Sequence, residues 1–512
     1  MKTVKYFIIA LLLPLFGCTT HLEEINVNPN ATDKVPTPYI LTYVQRDLAT
    51  VVYDVWNSGR QSSLICQHWS QRNYTSEDRY QFRRETSNAF YRSIYIRLQS
   101  CQDIINLNTN EATKEMMGTY YGDNDMQIAT AMLLKVWGIQ LMAETFGDVP
   151  YIEANKGAEV LLPKYDKQSD LFPKLLADVD DAIARLKRSE RGWEFGDVMY
   201  DGDIDSWIKF ANSLKLRLLL RMSNVKSDWK TAARAINVNE LFSSVGDRAG
   251  IQYVSAGAPN EAPLYNGFIS RNDFTYTKQF MGLLMGKDDT DKGFANPFKG
   301  IVDPRINMYI GSVNVSQNRF TGMPYGMSDA ATSSFASANS SSLINLRTSP
   351  RPYLISANAF VTFLDYPTVC FMLSEVYDWD KTWFEKGLKA SLQQWNVADN
   401  GFVNSVMAVF DAAGAEKKKE IVITQKYIHL LGQSFEAWSE YRRTGYPLSL
   451  VKPGEVSNNG VTFVTVNDTK GEICPRLLYD SNEYKINKTN VEAAAASIGG
   501  DTYATKLWWA KK

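Results

Sequence analysis

The alternation of apolar and polar residues predicts a chain built mainly of helices. The clearest helix is predicted at residues 127–146, where apolar residues recur every three or four positions and form one stripe. Gly147 and Pro150 follow directly, as is typical where a helix ends. The same period, often interrupted, predicts helices at residues 39–53, 59–72, 87–106, 168–186, 205–223, 357–379, 382–397, 402–431, 434–444 and 491–498.

A long central region departs from this helical pattern. Between about residues 224 and 352 Gly, Asn, Ser and Pro become frequent, which predicts a loop-rich lobe with a few short strands. Residues 328–342 are mostly small and polar, and we expect a mobile rim there. The predicted fold class is therefore all-α, one body over residues 39–512 with an irregular lobe inside it. Helix pairs of tetratricopeptide length fit the spacing, although no repeat of about 34 residues is visible.

The N-terminus has the features of a lipoprotein signal peptide over residues 1–17. Lys2 and Lys5 precede an apolar stretch that is too short to anchor the chain across a bilayer. The stretch ends in Gly17-Cys18, a small residue before a cysteine, as in a lipobox. We expect Cys18 to be lipidated and to begin the mature chain outside the cytoplasm, with residues 18–38 as a polar tether. The alternative is an ordinary secretory signal with a stray cysteine.

Composition disfavours nucleic-acid binding and a second membrane segment. The formal net charge of −1 lacks the excess of basic residues that a nucleic-acid partner requires. Beyond the signal, the best candidate for a membrane span, residues 129–146, is interrupted by polar side chains. The 12 Trp, 27 Tyr and 24 Phe leave several aromatic rings for exposed surface. The four remaining cysteines contain no C-x-x-C motif, which leaves a disulfide or buried thiols open; they are Cys66, Cys101, Cys370 and Cys474.

The sequence contains no motif that indicates catalysis. There are only three histidines, and neither a metalloprotease helix, a nucleophile elbow, a Walker A loop nor a dinucleotide-binding loop occurs. We expect no enzyme, and we expect His68 to be a packed or a surface helix residue instead of a catalyst. The acidic run at residues 288–291 could bind calcium, but it lacks the later Gly and Glu of an EF-hand loop, so a solvated loop is favoured. The sequence thus predicts neither a metal nor a cofactor.

Short blocks in a fixed order connect the chain to a known family. They are INVNPN (25–30), AETFGDVPY (143–151), PKYD (163–166), WIKFAN (207–212), DPR (303–305), FEAWSEYRRTGYP (435–447), PRL (475–477), NKTN (487–490) and LWW (507–509). In this order they resemble the SusD/RagB family of nutrient-binding lipoproteins, in particular its SusD-like branch. The resemblance covers residues 26–509.

The resemblance implies a fold and a function together. It implies tetratricopeptide-like helix pairs below a loop-rich lobe, on a lipoprotein held at the outer face of the outer membrane. It also implies a non-catalytic protein that captures a nutrient, usually an oligosaccharide, and passes it to a SusC-like TonB-dependent transporter. The blocks themselves are expected to be structural, with Arg442 and Arg443 pairing with Glu436, Glu440 or a helix end.

The candidate ligand residues follow from the chemistry of sugars. A sugar presents apolar C–H faces to aromatic rings and hydroxyls to amide or charged side chains, so a glycan site interleaves both kinds of residue on loops. Two segments, 69–82 and 265–276, have this pattern, and the early loops and irregular lobe that form the family's ligand face agree with them. The candidate residues are Trp69, Arg72, Asn73, Tyr74, Tyr80, Tyr265, Asn266, Arg271, Phe274 and Tyr276.

Three other functions stay open at this stage. The same scaffold could capture peptides, which would require a deeper and less aromatic cleft. A lipid-anchored hydrolase would release product from substrate, and a purely structural lid would use its aromatic surface only against the transporter. The sequence does not identify the glycan.

Overall fold

The computed structural model describes residues 35–511, so the predicted signal peptide, Cys18 and most of the predicted tether lie outside the described residues. The body is mostly helical, with 53% helix and a few short strands. Its α-helices are Thr37–Val52, Ser63–Ile65, Arg84–Thr109, Lys114–Tyr121, Asn124–Phe146, Gln168–Arg188, Ile204–Arg221, Trp229–Arg234, Pro263–Phe268, Lys278–Leu284, Ile306–Ile310, Ser312–Ser316, Asp329–Ala338, Tyr366–Val376, Lys381–Gln394, Phe402–Asp411, Ala415–His429, Ser434–Thr444, Glu483–Ile486 and Lys488–Ile498. The predicted all-α fold class is confirmed.

Helix Asn124–Phe146 forms the centre of the body. It packs between Arg84–Thr109 on one side and Gln168–Arg188 on the other, so it is buried nearly all round rather than along one stripe. Among the described residues it alone is long and apolar enough to cross a membrane, and 94% of its apolar window is buried in the protein. It is a core helix. Gly147 ends it with a φ of +113°, which a side-chain-bearing residue rarely adopts.

Six short strands form three antiparallel pairs within residues 35–511, and two of these strands lie in the loop-rich lobe of residues 224–352. β1 (Trp69–Gln71) pairs with β3 (Phe274–Tyr276), β2 (Ala249–Gln252) with β4 (Phe360–Leu364), and β5 (Val456–Asn458) with β6 (Val461–Thr462). The segment 328–342, expected as a mobile rim, contains helix Asp329–Ala338 instead of an irregular loop. Its small residues let the helix pack against a separate cluster of Met323, Met327 and Leu343.

Three predicted helices differ from the structure. Residues 59–72 are divided among a π-helix (Val55–Ser62), one short α-turn and β1. Residues 357–379 contain β4 before helix Tyr366–Val376, because the Asp365 side chain accepts a bond from the Thr368 N–H and starts the helix there. Residues 402–431 form two helices, separated by the turn that contains Gly414. Short strands and breaks depend on partners distant in sequence, which periodicity does not report.

A network of buried charges ties the helices together. Arg221 is fully buried and donates to Glu144 at 2.9 Å, to Glu436 at 2.7 Å and to Glu440 at 2.7 Å. Arg443 pairs with Glu440 at 2.9 Å, as expected from the sequence. The Arg442 guanidinium donates to the backbone carbonyls of Glu144 and Pro475 and lies 3.8 Å from the Trp438 ring centre. The structural role expected for Arg442 and Arg443 is confirmed.

The four cysteines inside the described residues are buried free thiols. Burial raises the pKa of each thiol to about 12, so the reactive thiolate is disfavoured. Of the two alternatives that the sequence leaves open, the structure favours buried thiols over a disulfide.

Candidate ligand-binding site

Strand pairing brings the two predicted ligand segments together. In the β1–β3 pair Trp69 lies opposite Tyr276 and Gln71 opposite Phe274. The pairing continues one step further, because the Arg72 N–H donates to the Asp273 carbonyl at 2.6 Å. Segments about 200 residues apart in the sequence thus emerge side by side at one end of this small sheet.

Four of the predicted ligand residues are buried, however. Their rings lie in the core, so the prediction that they offer stacking surfaces to a ligand is wrong. Trp69, Tyr80, Phe274 and Tyr276 are each at most 2% exposed. The Trp69 ring packs 5.6 Å from Phe268 and 5.5 Å from Phe274, centre to centre. Both strands are covered on their two faces, so the alternation of aromatic and polar residues here builds core instead of surface.

The exposed part of the site begins just beyond the paired strands. Tyr74 is 58% exposed, and the guanidinium of Arg271 lies 5.5 Å from its ring centre. Arg271 in turn donates from Nε to the Asp273 carboxylate at 2.7 Å, which orients it. Asn73 beside them is also exposed, and its amide donates to the Asn272 carbonyl at 3.5 Å. These residues present one aromatic face together with N–H donors.

A second exposed ring, Trp56, belongs to the same surface and was missed in the sequence. Trp56 is 45% exposed, and two guanidinium groups lie over it, Arg60 at 5.0 Å and Arg83 at 5.4 Å from its centre. Arg60 donates to Asp273 at 2.7 Å, so the same carboxylate holds the guanidinium groups beside both rings. We call Trp56, Arg60, Tyr74, Glu77, Arg83, Arg271 and Asp273 the Trp56–Tyr74 face.

Glu77 completes the charge balance of the face. It is buried and accepts from Arg83 at 2.8 Å and from Arg60 at 3.5 Å. Burial lowers the pKa of Arg60, and the neighbouring Glu77 and Asp273 carboxylates oppose that shift. Three guanidinium groups share two carboxylates, which leaves spare N–H donors at the surface.

The π-helix explains how Trp56 reaches solvent. Asp54 caps it by accepting from the Asn57 N–H at 2.6 Å, and burial raises the pKa of the Asp54 carboxyl to about 6. At Gly267 a Cβ would lie 2.5 Å from Val55, so only glycine lets helix Pro263–Phe268 press against the π-helix. π-helices are rare and often occur at functional sites. The periodicity predicts a helix only from residue 59, so Trp56 lies outside it, although a Trp four residues before an Arg is a usable signal.

The other predicted residues lie on neighbouring segments, where other groups hold their side chains. Tyr265 and Asn266 lie on helix Pro263–Phe268; Asn266 is exposed, and Arg351 lies 4.9 Å from the Tyr265 ring centre. Arg72 is half-buried and donates to the Ile344 carbonyl at 3.2 Å. Burial, with the nearby charge of Arg319, lowers its pKa.

The arrangement suits binding more than catalysis. A glycosidase needs one carboxyl group that carries a proton, whereas Glu77 and Asp273 both accept from guanidinium groups. Ser391, His429 and Asp365 are arranged like a hydrolase triad. Oγ of Ser391 lies 2.9 Å from Nδ1 of His429, and Nε2 of His429 lies 3.0 Å from the Asp365 carboxylate. Its three residues are at most 1% exposed, so no substrate reaches the serine.

Metal ligands are not gathered in the described part of the chain. Residues 35–511 contain no group of three or more His, Cys, Asp or Glu side chains that could hold an ion. In the acidic run, Asp288 pairs with Lys299 at 2.5 Å, and Lys278 contacts both Asp289 and Asp291. Of the two roles expected for His68, packed or at the surface, the structure shows the packed one: His68 is buried, and burial lowers its pKa to about 3.

Comparison with known families decides the class of protein. Residues 29–465 match the profile of the family SusD-like_2, described as "Starch-binding associating with outer membrane". The chain belongs to the SusD-like family. The family predicted from the ordered sequence blocks is thereby confirmed, and the match includes both rings of the Trp56–Tyr74 face. No curated protein sequence matches the chain.

Solved structures agree with the SusD-like fold. A chitin-binding protein has a TM-score of 0.73 at 25% identity, with 93% of this chain and 100% of that one covered. A chitin-binding SusD homologue from Flavobacterium johnsoniae has a TM-score of 0.70 at 20% identity, with coverages of 93% and 98%. A SusD homologue from Parabacteroides distasonis ATCC 8503 has a TM-score of 0.74 at 21% identity, with coverages of 92% and 98%.

Proposed function

We propose that this SusD-like chain is a non-catalytic glycan-capture lipoprotein and that it binds oligosaccharide on the Trp56–Tyr74 face. The observation that carries the proposal is the pair of exposed rings, 45% and 58% exposed, joined through Arg60, Asp273 and Arg271. Exposed aromatic rings held rigid by buried charges offer stacking surfaces for sugar rings at little cost in side-chain entropy.

The polar groups of the face fit the hydroxyls of a sugar. The guanidinium groups of Arg83 and Arg271 reach the surface next to the rings and have N–H donors beyond those that their carboxylates accept. Asn73 adds an amide at the edge of Tyr74. The family description names starch, and two solved relatives are named as chitin-binding. We therefore take α-glucan and N-acetylglucosamine oligosaccharides as the first ligands to test.

The membrane-related part of the function rests on the sequence and on the family. The lipobox at Cys18 supports lipid anchoring, and the family description supports location at the outer membrane. We propose that the chain is exposed at the cell surface and passes its ligand to a SusC-like TonB-dependent transporter, as the resemblance implies. No nucleic acid takes part.

The proposal is tested with residues 19–512 and calorimetric titration of maltoheptaose and chitohexaose. We expect one of them to bind without product release, and Trp56→Ala to weaken binding at least tenfold, because a central aromatic contact is typically worth 1–2 kcal/mol or more, about a tenfold change. Two controls lie away from the face. Tyr120→Ala removes a tyrosine that is 66% exposed, and Trp383→Ala removes a tryptophan under the charge of Lys386.

The other outcomes separate the competing functions. Full affinity in a Trp56→Ala, Tyr74→Ala double variant would place the ligand elsewhere and contradict the proposed face. Release of shorter sugars would show a hydrolase. Binding of peptides but of no glycan would favour the peptide-capturing alternative, and binding of neither would favour a lid that contacts only the transporter.

A further inference from the structure

A band of arginines continues the Trp56–Tyr74 face along the loop-rich lobe. Residues 306–351 contain three arginines and one aspartate, but no lysine, glutamate or histidine. In a chain with a formal net charge of −1, this is a local excess of positive charge. We call these arginines and two from the predicted ligand segments the arginine band; its members are Arg72, Arg271, Arg319, Arg347 and Arg351. Arg271 also belongs to the face, so the two surfaces join there.

Backbone carbonyls beside the β1–β3 pair hold the band together. Four guanidinium groups donate to carbonyls at residues 268–269 and 343–344: Arg347 to Ile269 at 2.9 Å, Arg351 to Phe268 at 3.2 Å, Arg72 to Ile344 at 3.2 Å and Arg319 to Leu343 at 3.5 Å. The Ile344 carbonyl also accepts from the Thr275 hydroxyl of β3 at 3.0 Å, which places this stretch against the sheet. Arginines far apart in the sequence thus lie beside one another next to the face.

Four members of the band have no carboxylate partner among the described residues. The exception is Arg271, which pairs with Asp273 at 2.7 Å. A bond to a carbonyl leaves most of the five N–H donors of a guanidinium group unused. The side chain is exposed at Arg347 and half-buried at the other three. Burial lowers the pKa of Arg72, and the charge of Arg319 lowers it further, so like charges lie close together there.

The carboxylates nearby do not balance these charges. Glu77 and Asp273 are shared by the three arginines of the face. Asp329 is exposed and accepts from the Thr75 N–H at 2.8 Å. Asp78 is buried, and burial raises its pKa to about 7, so it carries only part of a negative charge at neutral pH. Three full carboxylates therefore stand against the seven guanidinium groups of the face and the band.

This charge distribution disfavours a neutral ligand. A ligand that covers the band removes water from guanidinium groups, which costs free energy unless an anion replaces the water. Carboxylate and sulfate oxygens accept paired N–H bonds from a guanidinium group, and such charge-assisted bonds are stronger than bonds to a hydroxyl. The band thus points away from starch and chitin, the neutral polymers in the family description and in the names of two relatives.

We propose that the ligand of this chain is an acidic oligosaccharide, which stacks on the rings of the Trp56–Tyr74 face and places its carboxylate or sulfate groups on the arginine band. The inference rests on the glycan capture proposed above and narrows it to anionic saccharides. Uronate and sulfate groups offer guanidinium the same kind of acceptor, and the experiment separates them.

The experiment titrates residues 19–512 with three hexasaccharides in a calorimeter. Chitohexaose is neutral, the hexasaccharide of unsulfated chondroitin carries carboxylates only, and its sulfated form carries both groups. We expect an acidic hexasaccharide to bind at least about tenfold more tightly than chitohexaose in about 0.1 M NaCl. Raising NaCl to about 1 M shortens the screening length from about 10 Å to about 3 Å, so acidic binding should weaken at least about fivefold and neutral binding less than about twofold.

Arg347→Gln tests the band with little risk to the fold, since the side chain is exposed and donates to the Ile269 carbonyl. Affinity for the acidic hexasaccharide should fall about tenfold, because a charge-assisted bond is lost, and the melting temperature should hardly change. Arg347→Lys keeps the charge without the paired donors and should retain part of the affinity. Arg188→Gln is the matched control: it removes the same charge from an exposed pair with Asp125 on the helical body and should leave the affinity unchanged.

The outcomes separate this inference from the proposed function. Equal affinity for acidic and neutral hexasaccharides would overturn the inference, and so would acidic binding that neither high salt nor Arg347→Gln weakens; glycan capture would then still stand. Failure of the proposed face has a different signature. The Trp56→Ala, Tyr74→Ala double variant would bind the acidic hexasaccharide at full affinity, while Arg347→Gln would still weaken it. Binding of no hexasaccharide would overturn both.

The two acidic probes identify the recognised group. Tighter binding of the sulfated chondroitin hexasaccharide would show that the band binds sulfate, whereas equal binding of the sulfated and unsulfated forms would show that the carboxylates suffice.

Discussion

Two clusters in this protein combine the same groups in different surroundings. In the helical body Arg221 lies 5.3 Å from the Trp509 ring centre and pairs with three glutamates. At the Trp56–Tyr74 face Arg60 lies 5.0 Å from the Trp56 ring centre and pairs with Glu77 and Asp273. Trp509 is 0% exposed, whereas Trp56 is 45% exposed.

The comparison shows that the guanidinium–carboxylate pairs do not by themselves mark a binding site. In the body the Arg221 guanidinium is bonded to three buried glutamates and its aromatic neighbour is fully covered, and the result is a junction between helices. At the Trp56–Tyr74 face the same kind of bond holds arginines beside rings that face solvent, so the remaining N–H donors and the ring faces are available to a ligand. The exposure of the aromatic partner separates the two roles.

The largest effect is expected at the buried junction. Arg221→Met leaves Glu144, Glu436 and Glu440 without their shared cation, and removing one partner of a buried ion pair costs about 3–5 kcal/mol. Urea denaturation followed by circular dichroism measures it. Arg188→Met, which breaks an exposed pair with Asp125, should cost less than about 1 kcal/mol. Equal losses of unfolding free energy in the two variants would show that the buried ion pairs contribute no more stability than the exposed pair.

At the face the same kind of change should act on binding as well as on stability. Asp273→Asn keeps the shape of the side chain but removes the charge that holds Arg60 and Arg271, so we expect a loss of about 1–2 kcal/mol in unfolding free energy. Glycan affinity should fall roughly tenfold, because both guanidinium groups lose their fixed orientation. Titration and denaturation of one preparation measure both. Unchanged affinity in stable protein would separate Asp273 from ligand binding.

The long helices could be predicted closely, because the periodic burial of their side chains depends on the pattern of neighbouring residues in the sequence. Residues 434–444 form helix Ser434–Thr444 as predicted, and 168–186 is extended by two residues to Gln168–Arg188. The elements that build the Trp56–Tyr74 face could not be predicted in this way. β1 depends on β3, about 200 residues away, and an eight-residue π-helix has no distinct sequence period.

The choice between the two tryptophans shows why the site was only partly predicted. Trp69 and Trp56 both lie near polar and charged residues in the sequence, and Trp69 has the richer aromatic context. That context proved to be core, because Phe268 and Phe274 pack on Trp69. Tyr74 and Arg271, also predicted, do lie on the exposed face. Composition indicated the segments, while exposure required the tertiary structure.

Asp78 differs from the two carboxylates of the face, Glu77 and Asp273. It is a buried carboxyl group without a salt-bridge partner among the described residues. Burial raises its pKa to about 7, against the bonds that it accepts from Ser70 and the Gln71 N–H. The folded protein thus keeps a proton that the unfolded chain releases near pH 4. Stability from this group is complete below about pH 4 and falls by at most about 1.4 kcal/mol per pH unit up to about pH 7.

Asp78→Asn should remove that dependence, because the amide stays neutral and its oxygen can still accept from the Gln71 N–H. Denaturation midpoints at pH 5 and pH 7 measure the difference. The natural protein should lose more stability than the variant over this interval. Parallel pH profiles would show that Asp78 titrates as it does in the unfolded chain.

The smallest effect is expected at Tyr74, where ring and hydroxyl can be separated. The Tyr74 hydroxyl also interacts with Arg271, but the ring remains in Tyr74→Phe, so this variant should change glycan affinity less than about threefold. Tyr74→Ala removes the stacking face and should weaken binding about five- to tenfold, the change that a loss of about 1–1.4 kcal/mol of ring contact gives. Because the side chain is 58% exposed, neither variant should shift the unfolding free energy by more than about 0.5 kcal/mol. A Phe variant as weak as the Ala variant would mean that the hydroxyl, and not the ring, recognises the ligand. The face would then act by hydrogen bonding, as Arg221 does in the body, and the contrast between the two clusters would disappear at this residue.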